Sequence, residues 1–136
     1  MSLEKEIVKI IKESKTIAVV GASRNPEKAA HAIPKYLKDQ GYKIIPVNPS
    51  ADKIFGEKVY RSLAEIPIPI DIVDVFRSSE ETPKVVESAV KIKPKLIWLQ
   101  LGISNDEAKK IAEEHNIKFV MNKCLKVEHM KITGKI

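Results

Sequence analysis

Five short segments of this 136-residue chain collect small, amide, hydroxyl and cationic groups: Gly21-Ala22-Ser23-Arg24-Asn25, Val47-Asn48-Pro49, Phe76-Arg77-Ser78-Ser79, Gln100-Leu101-Gly102 and Asn122-Lys123-Cys124. Such groups suit a phosphate-bearing ligand. Gly21 permits a tight turn, and the N–H groups of Ala22, Ser23 and Arg24 can cradle an oxyanion where a helix begins. Arg24 and Lys28 add positive charge. Only the first glycine of a G-x-G-x-x-G dinucleotide fingerprint is present, because Ser23 and Pro26 stand where the others would be. In the second segment an NAD site would carry an acid for the ribose 2′-hydroxyl. Asn48 stands there instead, with Lys53 a little beyond. That pair suits a 3′- or 2′-phosphorylated adenosine better than NAD, although Asn-Pro also reads as a plain turn.

No catalytic or metal-binding set accompanies these segments. His31, His115 and His129 lack metal spacing and a nearby nucleophile. Asp71 and Asp74 are an odd number of residues apart, so strand alternation sends them to opposite faces. One is expected near a strand end, the other bonded to backbone groups. Cys124, the one cysteine, can make no intramolecular bridge. It reads as a small buried hydrophobe, or as a thiol available for a mixed disulfide. Trp98 reads as core.

The elements that must position these segments alternate along the chain. Apolar strands are expected at 16–20, 43–47, 70–76, 95–100 and 118–121. Helical patterns occupy 27–40, 62–66, 80–91 and 104–115, after an N-terminal amphipathic helix at about 3–13. Pro34 should start or bend the first long pattern. Pro46 should occupy an unpaired ladder position. The tail from Asn122 should add a turn of helix and a short edge segment. Near-continuous apolar strands separated by helices predict an α/β fold, a doubly wound Rossmann-like parallel sheet of about five strands. The expected order is 3-2-1-4-5, with the ligand-binding switch point between strands one and four. Residues 1–136 are expected to form one domain.

Composition supports a folded chain: 43% hydrophobic, 31% charged and +6 in net charge. The cations are mostly lysines spread along the chain, so a nucleic-acid partner is not expected. No apolar run is long enough for a membrane span. The acidic start lacks the apolar stretch of a secretory signal, and a cytoplasmic setting is expected.

Taken in order, Gly21-Ala22-Ser23, Gly41-Tyr42, Val47-Asn48-Pro49, Gly56 with Tyr60 and Ser62-Leu63, Val75-Phe76-Arg77, Trp98 through Gly102, and Asn122-Lys123-Cys124-Leu125 carry a family resemblance. From about Thr16 to His129 the chain resembles the small stand-alone CoA-binding proteins. These are similar to the CoA-binding domain of the succinyl-CoA synthetase alpha subunit. The resemblance implies a Rossmann-like domain that binds coenzyme A across the switch point. Gly21, Ala22, Ser23, Arg24 and Lys28 would hold phosphates. Val47 and Asn48 would border the ADP portion, and Phe76, Arg77 and Ser78 the nucleotide and pantetheine path. Gly102 would let the pantetheine pass close to backbone, with Asn122 and Cys124 near its thiol, and Pro49 and Gln100 would be further binding residues. The synthetase's second domain, with its phosphorylated histidine, has no counterpart here. The expectation is therefore a binding, carrier or sensing module for CoA or an acyl-CoA, leaning away from catalysis. The alternative is a small NAD(P)-linked enzyme or enzyme subunit. An edge strand and a basic tail leave room for a homodimer or a protein partner.

Overall fold

The computed structural model describes residues 3–136. A five-stranded parallel sheet is built from β1 (Thr16–Val20), β2 (Lys43–Val47), β5 (Ile72–Val75), β6 (Leu96–Leu99) and β7 (Lys118–Val120). A separate antiparallel hairpin pairs β3 (Lys53–Ile54) with β4 (Glu57–Lys58). The sheet order is β2-β1-β5-β6-β7.

The α/β class, the Rossmann-like character and the five parallel strands are as the sequence predicts. The strand order differs. The third long strand does not lie outside β2. It pairs with β1 on one side and β6 on the other, with Val19, Asp74 and Trp98 in register across the three strands. The cause is in β2 itself. Pro46 carries no N–H, and its carbonyl, on the outer side, accepts from Tyr60 N–H at 3.0 Å. The proline therefore presents its donorless nitrogen to the edge, where no ladder needs it. An interior β2 would leave a gap in its second ladder. The switch point consequently lies between β1 and β5, not between the first and fourth long strands.

Side-chain alternation divides the core between two faces. Ile17, Val19, Ile72 and Trp98 share one cluster with Ile7 and Ile11 of α1 (Lys5–Glu13), Ile33 and Leu37 of α2 (Ala29–Asp39) and Leu125 of α5 (Leu125–Ile132). Ala18, Val73, Val75, Ile97 and Leu99 point the other way. They meet Val86 and Ala89 of α3 (Thr82–Lys91) and Ala108 and Ala112 of α4 (Asp106–Glu114). Strands buried on both faces explain the near-continuous apolar runs. The tail forms α5 rather than an edge segment. Gln100 Oε1 accepts from Leu125 N–H at 3.2 Å at its start, and His129 Nδ1 lies 2.8 Å from the Tyr36 hydroxyl. The short pattern at 62–66 closes as one 3-10 turn, Leu63–Glu65.

The two strand acids behave differently from expectation. Asp71 takes both assigned roles: it precedes β5 and accepts from the N–H groups of Lys15 and Thr16 at 2.8 and 3.2 Å. Asp74 takes neither. It is fully buried in the middle of the sheet, and neither carboxyl oxygen has a hydrogen-bond partner.

Candidate functional site

Parallel winding brings all five chemistry-bearing segments to the carboxyl ends of the strands. β1 leads through α2 back to β2, whereas β5 leads through α3 away to β6. The two chains part at Gly21 and Phe76. Gly21 has φ +86°, and a Cβ added there would lie 2.5 Å from the Phe76 carbonyl oxygen. Only glycine fits this approach. In front of it opens a cleft of about 500 Å³. Seven of the predicted residues line it: Gly21, Ala22, Ser23, Arg24, Lys28, Asn48 and Phe76. Asn25, Ala30, Ser50 and Ala51 complete the wall.

The β1–α2 loop is held from several directions. Gly21 N–H donates to the Val47 carbonyl at 2.9 Å. Asn48 Nδ2 donates to the Ala22 carbonyl at 2.8 Å, while Asn48 Oδ1 accepts from the N–H groups of Ser50 and Ala51 at 2.8 and 3.0 Å. The Asn48 amide thus staples two loops together as an Asx turn. Its amide shapes the wall of the cleft, which Asn48 also lines. Arg61 secures the same loop from outside through the Asn48 and Ala51 carbonyls.

One correction concerns the expected N–H cradle. Ser23 N–H is not free, because it donates to the Ala30 carbonyl at 3.0 Å. That carbonyl is available because Pro34, four residues on, has no N–H to offer it. Pro34 therefore lies inside α2, and the bond it removes from the helix is remade to the loop. His31 adds to the tie, with Nδ1 2.8 Å from the Ser23 carbonyl, which makes that nitrogen the donor. In the β1–α2 loop and the first turn of α2, the N–H groups of Ala22, Arg24, Ala29 and Ala30 have no protein acceptor among the described residues. Those of Ala29 and Ala30 form the positive end of the α2 dipole. Arg24 and Lys28 are exposed and in none of the ion pairs among the described residues. Ala22, Arg24, Lys28 and Ala30 all line the cleft, so unpaired amides and two unpaired cations are available there for an oxyanion.

The remaining predicted residues lie along the same rim but outside this cleft. Val47 is buried at the end of β2, and Pro49 is exposed beyond it. Arg77 is paired with Glu81, and Ser78 Oγ donates to the same carboxylate. Gly102 N–H donates to Asn122 Oδ1 at 2.8 Å, joining the loops after β6 and β7. Gln100 is buried and spent on α5. Cys124 is half-buried at the cap position of α5 and packs against the core. Trp98 is wholly buried, its indole N–H on the Lys123 carbonyl at 2.8 Å. Among the described residues no three His, Cys, Asp or Glu side chains group as a metal site, and no helix is long and apolar enough to cross a membrane.

Sequence reasoning missed Ser50, Ala51 and the Ala30 carbonyl. The first two are readable after the fact from Asn48-x-Ser50, a spacing that favours an Asx turn. The third needed the recognition that an interior proline frees an acceptor.

The sheet order and the crevice define a Rossmann-like α/β domain with its candidate site at the switch point. A family model described as "CoA binding domain" matches residues 15–130. The chain belongs to that family. It is 44% identical over 124 residues to the uncharacterized protein YneT of Bacillus subtilis, covering 91% of this chain and 92% of that one. It is 34% identical to the ADP-forming acetate–CoA ligase of Methanocaldococcus jannaschii over 92% of this chain, but spans only 19% of that enzyme. Among solved structures, a hypothetical protein from Pyrococcus horikoshii OT3 superposes with a TM-score of 0.92 at 39% identity, covering 97% of this chain and 94% of that one.

Proposed function

We propose that this protein binds coenzyme A, free or as an acyl thioester, in the crevice between β1 and β5. The observation that supports this most is the coincidence of two facts. The family match spans nearly the whole chain, and the cleft within that span is lined by Ala22, Arg24 and Ala30, whose N–H groups have no protein acceptor among the described residues, with the Arg24 and Lys28 side chains beside them. CoA carries a pyrophosphate and a 3′-phosphate, the charges such a rim suits. Phosphate binds at the α2 amino end and the adenosine side lies against Asn48, Ser50 and Ala51. The pantetheine runs past Phe76 toward Gly102, Asn122 and Cys124.

Among the described residues no assembled general acid, base or nucleophile lines the cleft, which favours a role of holding or delivering the thioester carrier in the cytoplasm, alone or to a partner enzyme. The ligase relatives are named for CoA ligation, and this module is a small part of their length. Titration calorimetry with CoA, dephospho-CoA, NAD and NADP tests the reading. CoA should bind most tightly and dephospho-CoA more weakly. NAD binding as tightly as CoA contradicts it and favours the NAD(P)-linked alternative.

A further inference from the structure

We propose that Glu81 is an internal anion that occupies the Arg77 guanidinium until a phosphate-bearing ligand displaces it, so that this pair sets the affinity of the crevice. The inference rests on the CoA reading above and concerns which residues tune it.

Arg77 leaves the end of β5 directly beside the divergence point. A Cβ on Gly21 would lie 3.1 Å from Arg77 Cδ, so the arginine stem packs against the Gly21 turn at the edge of the crevice. Arg77 nevertheless does not line the cleft. Nη2 donates to Glu81 Oε2 at 2.5 Å, and Ser78 Oγ donates to Glu81 Oε1 at 2.7 Å. Both carboxylate oxygens are therefore engaged, and hydrogen bonds from Arg77 and then Ser78 hold the Glu81 carboxyl below the ordinary glutamate range. The carboxylate occupies the position in front of Arg77 that a phosphate oxygen pair would need.

The pair is built to open. The two side chains are 36% and 50% exposed, and an exposed pair contributes little that a solvated competitor must overcome. A phosphate carries more charge and more acceptor oxygens than a carboxylate. Turning the terminal torsions of Arg77 moves the guanidinium while the stem stays over Gly21. Arg24 and Lys28 are unpaired and attract anions at all times. Arg77 responds only to an anion that outcompetes Glu81.

Calorimetric titration of CoA at low and high salt into wild type, Glu81→Gln, Glu80→Gln, Arg77→Gln and the Arg77→Gln/Glu81→Gln double variant tests this. Glu80 is exposed and in no ion pair among the described residues, so it controls for general charge removal. Glu81→Gln should bind CoA about two- to fivefold tighter, as expected for releasing one exposed ion pair. Its affinity should fall more steeply with salt, because a free Arg77 exchanges a solution anion for the ligand. Glu80→Gln should change affinity less than about twofold, and the Glu81→Gln gain should vanish in the Arg77→Gln background. Glu81→Ala must shift affinity in the same direction, with thermal melts showing each variant folded. Equal or weaker binding by Glu81→Gln, or an undiminished gain without Arg77, overturns the inference and leaves the site reading standing. Wild type that binds no CoA contradicts the site reading, and the inference falls with it.

Discussion

Asp74 shows how one residue can act against the rest of the core. It lies between Val19 and Trp98 with no partner for either oxygen. Burial pushes its carboxyl well above the ordinary aspartate range. The folded protein thus keeps a proton that the unfolded chain releases above about pH 4. The stability this group contributes is complete below the unfolded pKa and is lost as pH rises toward the folded one. Asp71 has the opposite sign. Burial opposes its charge, but the N–H groups of Lys15 and Thr16, with Lys95, outweigh that and lower its pKa. Its contribution is present above the unfolded pKa and is lost as pH falls through the folded value. Asp74→Asn should therefore be more stable than wild type at neutral pH, with the gap shrinking as pH is lowered toward 4. Urea midpoints across that range measure it, and a constant gap contradicts the assignment. The sequence made both acids visible. It did not show which one found partners, because Lys15 and Thr16 are more than fifty residues away.

At the scale of elements, α2 and the loop before it form one hydrogen-bonded unit. An interior proline ordinarily costs a helix about 3 kcal/mol. Here the Ala30 carbonyl it frees is taken by Ser23 N–H, so part of that cost is recovered. Pro34→Ala would restore a competing donor within the helix. It should stabilise the protein by clearly less than about 3 kcal/mol, and Ser23 amide hydrogen exchange should quicken. Full stabilisation with unchanged Ser23 protection would mean that the loop tie contributes nothing. Pro34 and Pro46 both stood in plain view in the sequence. Reading either as a local defect hid its use: one frees an acceptor for the loop, the other marks an edge strand. The hairpin β3/β4 escaped notice because its strands are two residues each, too short for any alternation to register.

For the molecule as a whole, alternating strands and helices made the fold class, the parallel sheet and the rim of polar segments legible. Strand order was not, because periodicity fixes which face of a strand is buried and says nothing of its lateral neighbours. Only the Pro46 edge signal bears on that, and it points to the observed order. The correction moves the crevice to β1 and β5 without removing any of the seven lining residues from it. A smaller hollow of about 250 Å³ lies elsewhere, beside Gly41, Tyr42 and His129 at the opposite end of the sheet, and provides an internal control. Backbone amide shifts recorded while CoA is added to the labelled protein are the most direct measurement. Ala22, Arg24, Ala29 and Ala30 should move most while Gly41, Tyr42 and His129 stay still; largest shifts at that opposite end, or none at the α2 amino end, contradict a coenzyme site at the β1/β5 divergence.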